Sequence, residues 1–359
     1  MPFVVKYLYN PSIKYAVSQN KNIVNLPKNS ELRVLVCVHQ EKDTHGLIQL
    51  LNLSCPTKQN PLAISVLHPV DLVGRITPVF ISHKQDNYGN NPYSHQDESY
   101  SENIVLCFNR FERDQNGTVC VECFTTITPH KFMVSEVCRL ELQKASSLII
   151  LPFHQTWTAD GHMDRDDNTI KALNSGVIES ASCSVGIFAN RGNLGNMMSE
   201  NDCYSVCVIF LGGSDDREAI SYAKRLTKDP RVELTLLRLF AHSTAEDEAC
   251  NDQNWDKMLD SETLRDFKTN CFGDGRVRYI EAVCEDGTHT VMGIRKMVND
   301  FDLMVVGRRK GLEESSPQTC GLNEWNDFPE LGILGDLIVS LDVNFRASVL
   351  VIQQSATDI

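Results

Sequence analysis

The sequence predicts an α/β protein made of two tandem domains, each a five-stranded, mainly parallel sheet flanked by helices. Three observations carry that expectation. Short runs rich in Val and Ile, such as Tyr204–Leu211, have the composition of strands buried on both faces. Stretches with helical spacing follow them, as in Ala219, Ile220, Ala223 and Leu226. The whole order then repeats once with a period of about 160 residues, dividing the 359 residues into two like halves. Residues 1–30 read as a polar tether, 31–191 as the first domain, 192–202 as a linker rich in Gly and Asn, and 203–359 as the second domain.

In the first half, Leu32–Val38 reads as a strand, Thr44–Leu53 as a helix and Leu62–His68 as the second strand. Residues 75–102 turn polar, with Asn, Gly and Pro together, and read as a long mobile loop. Asn103–Arg113 continues as a helix, Val119–Thr125 is the third strand and Phe132–Lys144 a helix. Leu148–Leu151 is the fourth strand, Thr169–Ser180 a helix and Ser184–Phe188 the fifth strand. The second half supplies strands at Tyr204–Leu211, Val232–Leu239, Val277–Val283, Leu303–Val306 and Val349–Ile352. Between its first two strands, Gly212-Gly213 breaks the run. Ser214, Asp215 and Asp216 then offer N-cap oxygens, and Asp215 with Glu218 has the spacing of a capping box. Analogy gives each sheet the order 3-2-1-4-5, which places any ligand at the strand ends where the order reverses. An apolar fifth strand is an exposed edge unless paired, so Cys183–Phe188 and Ser348–Ile352 are expected to pair about a pseudo-twofold axis.

Composition narrows the function. A net charge of −13 argues against nucleic acid or an anionic membrane as the main partner. No apolar run reaches the roughly 18 residues of a membrane helix, and the N-terminus lacks the layout of a secretory signal. The 13 cysteines fall mostly within apolar segments and read as reduced core thiols of a cytosolic protein. Cys120 and Cys123 resemble half a zinc site, but on a strand residues three apart face opposite ways.

One crevice of the second half has the residues of a ligand site. Gly212 and Gly213 follow the first strand, with Asp215 and Asp216 beside them. Gly307, Arg308, Arg309 and Gly311 follow the fourth strand, and Gly332-Ile-Leu-Gly335-Asp336 opens the next helix. Glycines at strand ends and a helix N-terminus can cradle a phosphate; glycines also simply close tight α/β turns. The aspartates favour the second reading, because a phosphate wants a hydroxyl or amide there. The first half has Pro152-Phe153-His154 at its equivalent turn, without a glycine. No nucleophile–base pair, Walker lysine loop or metal cluster is recognisable, so no catalysis is expected and no metal or certain cofactor is assigned.

Each half resembles a universal stress protein domain, a Rossmann-like fold. Nucleotide-binding members of that group carry G-x2-G-x9-G-[ST] after the fourth strand. This chain departs from the pattern, with Gly307 and Gly311 four apart and Gly335 preceding Asp336. The pair more specifically resembles the C-terminal region of plant cation/proton exchangers, a branch of the monovalent cation:proton antiporter-2 family. The likeness rests on Leu151-Pro-Phe-His154, Ala181-Ser-Cys-Ser-Val-Gly186, Gly212-Gly-Ser-Asp-Asp-Arg-Glu-Ala219, the run Asp302–Arg309, Pro329-Glu-Leu-Gly-Ile-Leu-Gly-Asp336 and the run Ser348–Gln354. The resemblance implies a regulatory region on the cytosolic face of an endomembrane in plant cells. Exchange of potassium or another monovalent cation for protons would reside in an N-terminal membrane domain, its partner in a complete, homodimeric protein. It implies no membrane insertion of this region. The alternative is a stress-protein-like sensor that binds an adenine nucleotide.

Overall fold

A computed structural model describes residues 22–72, 78–83, 97–158, 162–192, 194, 203–241, 251–271, 275–309, 316–322, 326–340 and 345–355. The first half contributes β1 (Leu32–Cys37), α1 (Glu41–Leu53), β2 (Leu62–Asp71), β3 (Val79–His83), α2 (Asp97–Asp114), β4 (Val119–Thr128), α3 (His130–Lys144), β5 (Leu148–Pro152), β6 (Gln155–Trp157), β7 (Met163–Asp166), α4 (Asn168–Ser180) and β8 (Ser184–Ala189). The second contributes β9 (Tyr204–Phe210), α5 (Ser214–Leu226), β10 (Val232–Phe240), α6 (Asn251–Cys271), β11 (Val277–Val283), α7 (Gly287–Met297), β12 (Leu303–Gly307), α8 (Gly332–Val339) and β13 (Ser348–Gln353).

Among the described residues, every strand except β6 and β7 joins one sheet, ordered β11-β10-β9-β12-β13-β8-β5-β1-β2-β4-β3. The expected 3-2-1-4-5 order is therefore present twice. Pairing is parallel except at two places. β3 lies antiparallel on β4 and covers the outer edge of the first half. β13 lies antiparallel on β8, with Leu350 opposite Phe188 and Val351 opposite Ile187. This second joint fuses the two halves about a pseudo-twofold axis. Its cause is visible in burial: β8 is buried throughout and β13 at all but its last residue, so either strand alone would be a bare apolar edge.

Helices cover both faces of the sheet, and each face has one apolar core running across the joint. One core gathers Leu50 of α1, Phe108 of α2, Ile220 of α5 and Phe267 of α6. The other gathers Val137 of α3, Val177 of α4, Ile294 of α7 and Leu334 of α8. Equivalent helices of the two halves thus share a face, as a twofold perpendicular to the sheet demands.

Two readings need correction, those of residues 75–102 and of the tether, and one connection holds an unforeseen hairpin. The stretch 75–102 contains strand β3 and the start of α2, and only residues 84–96 between them lie outside the described residues. The connection after β5 folds into the β6–β7 hairpin. Of the polar tether, residues 1–21 lie outside the described residues, but Asn22 and Ile23 are buried against the fold. The linker 192–202 also lies outside, Gly192 and Leu194 excepted. Cys120 is exposed and Cys123 buried, on opposite faces of β4 as strand geometry requires. Burial pushes the Cys37 and Cys207 thiols up to about 12, which leaves both protonated and inert.

Candidate functional site: a crevice closed by its own side chains

β9 and β12 are neighbours, and the strand order reverses between them. The connection from β9 to α5 requires glycine twice, since Gly212 and Gly213 have φ of 111° and 102°. Gly213 is the residue that precedes the helix, and no side chain caps it. The expected capping box is absent because its acids reach further partners. Asp216 Oδ2 accepts from the backbone N–H of Leu211 at 2.8 Å and of Gly212 at 2.9 Å. The Arg309 guanidinium donates to the same oxygen at 3.0 Å and to the Gly212 carbonyl at 2.6 Å. Asp215 accepts from Arg309 N–H and from Gln354 N–H, both at 2.8 Å.

This cluster is buried. Asp216 has no exposed surface, and Asp215 and Arg309 are each 7% exposed. Burial pushes the Asp216 carboxyl up from its ordinary value, while Arg309 and the Leu211 N–H pull it back. Arg309 adopts φ of 61°, a left-handed conformation that costs energy for a residue with a Cβ. Three hydrogen bonds from its backbone and guanidinium hold it there. Gly307 is needed for contact: a Cβ would stand 2.7 Å from the Asp216 nitrogen and 2.8 Å from the Asp215 carbonyl carbon.

The ten residues singled out by sequence therefore divide. Gly212, Asp215, Asp216, Gly307 and Arg309 meet in the crevice. Gly213 donates its N–H to Asp260 of α6, which also pairs with Arg217. Arg308 turns away, donating to Pro329 O at 2.9 Å and to Gln353 Oε1 at 2.5 Å. Gly335 lets α8 approach Val351, and Asp336 accepts from Asp327 N–H and Ser340 Oγ. Gly311 lies outside the described residues. Chemically the crevice holds its own anions: the donors that would face a phosphate already face carboxylates.

Spacing arguments gave Glu218 only a local capping role and passed over Glu330. Glu218 lies one turn beyond Asp215 on α5 and has no exposed surface. It accepts from Ile23 N–H at 2.5 Å, Val24 N–H at 3.0 Å and Ser184 Oγ of β8 at 2.6 Å. Burial raises its carboxyl, and these three donors oppose that rise. Glu330, just before α8, reaches the His154 ring of the first half at 2.8 Å. The equivalent crevice of the first half differs in kind. It leaves a cavity of about 160 Å³ lined by Lys42, Phe153, Thr156, Trp157 and Asn190 among others. Lys42 there bonds Asp164 at 2.8 Å and Thr156 at 3.1 Å.

Among the described residues no helix is long and apolar enough to cross a membrane. Residues 203–353 match the family described as plant cation/H(+) antiporter, C-terminal domain, and residues 64–193 match a second plant cation/H(+) antiporter domain. Over 99% of its length the chain is 42% identical to Cation/H(+) antiporter 3 of Arabidopsis thaliana, covering 43% of that relative. It is 38% identical to Cation/H(+) antiporter 8 and 32% identical to Cation/H(+) symporter 13 of the same plant, covering 43% and 42% of them. The chain thus spans less than half the length of these relatives. Among solved structures, a universal stress protein from Archaeoglobus fulgidus aligns over 90% of this chain and 97% of its own, with 15% identity and a TM-score of 0.45. The chain belongs to the plant cation/H(+) antiporter family, and its second half carries that family's C-terminal domain.

Proposed function

We propose that this chain is the cytosolic regulatory region of a monovalent cation/H+ antiporter of a plant endomembrane, potassium being the exchanged cation. Residues 31–191 and 203–359 act as two domains of one unit, and transport belongs to a membrane domain that precedes them. The observation that carries this reading is Glu218. Through it the segment at Ile23–Val24, which leads into the first domain, is bonded to α5 of the second domain. The same helix begins with the acids that close the crevice. A change at the crevice therefore bears on the segment nearest the proposed membrane domain, as regulation requires.

The relatives support a role outside ion coupling. This region resembles relatives named as antiporters and one named as a symporter, so its fold does not go with one direction of coupling. An adenine nucleotide in the crevice is the alternative signal, and the Asp215 and Asp216 carboxylates weigh against it. The test uses the complete antiporter reconstituted in sealed vesicles, with and without residues 203–353. Removal should change the rate of cation-driven proton movement while leaving the order of preferred cations intact. Unchanged rates, or an altered cation order, would overturn the reading.

A further inference from the structure

His154 and Glu330 are each 1% exposed at the side chain, and they belong to different halves. Nδ1 of the ring lies 2.8 Å from Glu330 Oε1, while Nε2 lies 3.6 Å from Asp166 Oδ1. Despite the short approach, both ring nitrogens and both Glu330 oxygens lack an aligned hydrogen bond among the described residues. The surroundings are apolar where the halves meet: the Phe328 ring stands edge-on to Phe153 at 5.3 Å and to His154 at 5.4 Å. We propose that His154 and Glu330 form a proton-binding site that latches the second half's α8 to the end of β5.

Charge balance decides the sign. A buried carboxylate needs a counter-charge or a proton. One proton shared by His154 and Glu330 satisfies that need, whether as imidazolium with carboxylate or as imidazole with carboxylic acid. Loss of that proton leaves a buried anion beside a neutral ring. Other charged groups around the site are committed elsewhere. Asp166 of β7 is half-exposed and adds negative charge at Nε2. Lys171 of α4 stands over Phe328, 5.4 Å from its ring centre. Asp336 of α8 is engaged by Asp327 N–H and Ser340. Arg308, at the end of β12, holds Pro329 O, and Arg191, after β8, donates to Phe345 O. Closing the latch thus takes up a proton, and rising pH opens it.

The latch has a route to the crevice. Pro329, next to Glu330, is bonded to Arg308, whose neighbour Arg309 pairs with Asp216. The site concerns this chain alone and stands or falls independently of the transporter reading.

Amide hydrogen exchange of the whole chain, corrected for intrinsic rates, tests it between about pH 6 and about pH 8.5, the window of histidine chemistry. Protection across residues 328–339 should fall with rising pH, by up to about tenfold per pH unit for one linked proton. Protection in β1, far from the latch, should stay constant. Glu330→Gln, which keeps the shape and removes the charge, should abolish the alkaline loss, whereas His154→Gln, which leaves the buried carboxylate only a proton of its own, should shift the pH at which protection falls. Constant protection of 328–339 in the wild-type chain would overturn the proposal even if both variants failed to fold. An alkaline loss that persisted in folded Glu330→Gln, or one left unmoved in folded His154→Gln, would overturn it too.

Discussion

Asp216 shows why single residues matter here. A carboxylate with no exposed surface costs several kcal/mol unless it is paired and bonded, and Arg309 with two backbone N–H groups supplies that pairing. Asp216→Ala should therefore lower stability by about 3–5 kcal/mol, because it strands a buried guanidinium. Denaturant titration of Asp216→Ala, Arg309→Ala and the double variant checks this: the double loss should fall short of the sum by about 1 kcal/mol or more. Strict additivity would mean that the pair does not interact. The acids themselves were legible in the sequence, and their partners were not. Spacing suggested a local capping box between Asp215 and Glu218. The observed partners lie 94, 139 and 195 residues away in the chain, beyond the reach of any argument from neighbouring positions.

At the scale of elements, the strands that could be read were those buried on both faces. β9, β12 and β13 are short, nearly continuous apolar runs rich in Val and Ile, the composition of strands buried on both faces. β3 and β7 escaped notice for the opposite reason. β7 reads Met-Asp-Arg-Asp and is mostly exposed, so its hairpin owes nothing to a hydrophobic pattern. β3 lies inside a polar stretch and is fixed by pairing with β4. The joint between β13 and β8 was legible because two short apolar fifth strands each needed a partner. Leu350→Pro tests that joint, since proline in a central strand removes a ladder hydrogen bond and clashes with the sheet. The variant should unfold in two separate transitions by calorimetry, where the wild-type chain unfolds in one. A single shared transition in the variant would show that the halves cohere by other means.

Over the whole molecule, one sheet and two cores that cross the joint make the halves a single mechanical body. Side-chain ties cross it besides the sheet, among them Glu218 to Ser184 and Ile23, His154 to Glu330, Arg191 to Phe345 O, and Gln353 Nε2 to Ile178 O at 3.1 Å. The doubling was readable from the repeat, while the strand order within each half came from analogy and is borne out. These ties were not readable, since the partners in each lie far apart in the chain. Of them, the Glu218 tie carries the regulatory account, because it alone reaches the segment leading towards the proposed membrane domain. Glu218→Gln turns one of two accepting oxygens into a donor that must face the N–H of Ile23 or Val24, and should free residues 22–26, visible as faster amide exchange. The decisive measurement is the initial rate of cation-driven proton movement by the complete antiporter bearing this substitution, in sealed vesicles. The account predicts a rate changed by about fivefold or more, the low end of typical coupling between sites, with cation preference kept. A wild-type rate in a variant whose residues 22–26 are demonstrably released would contradict it.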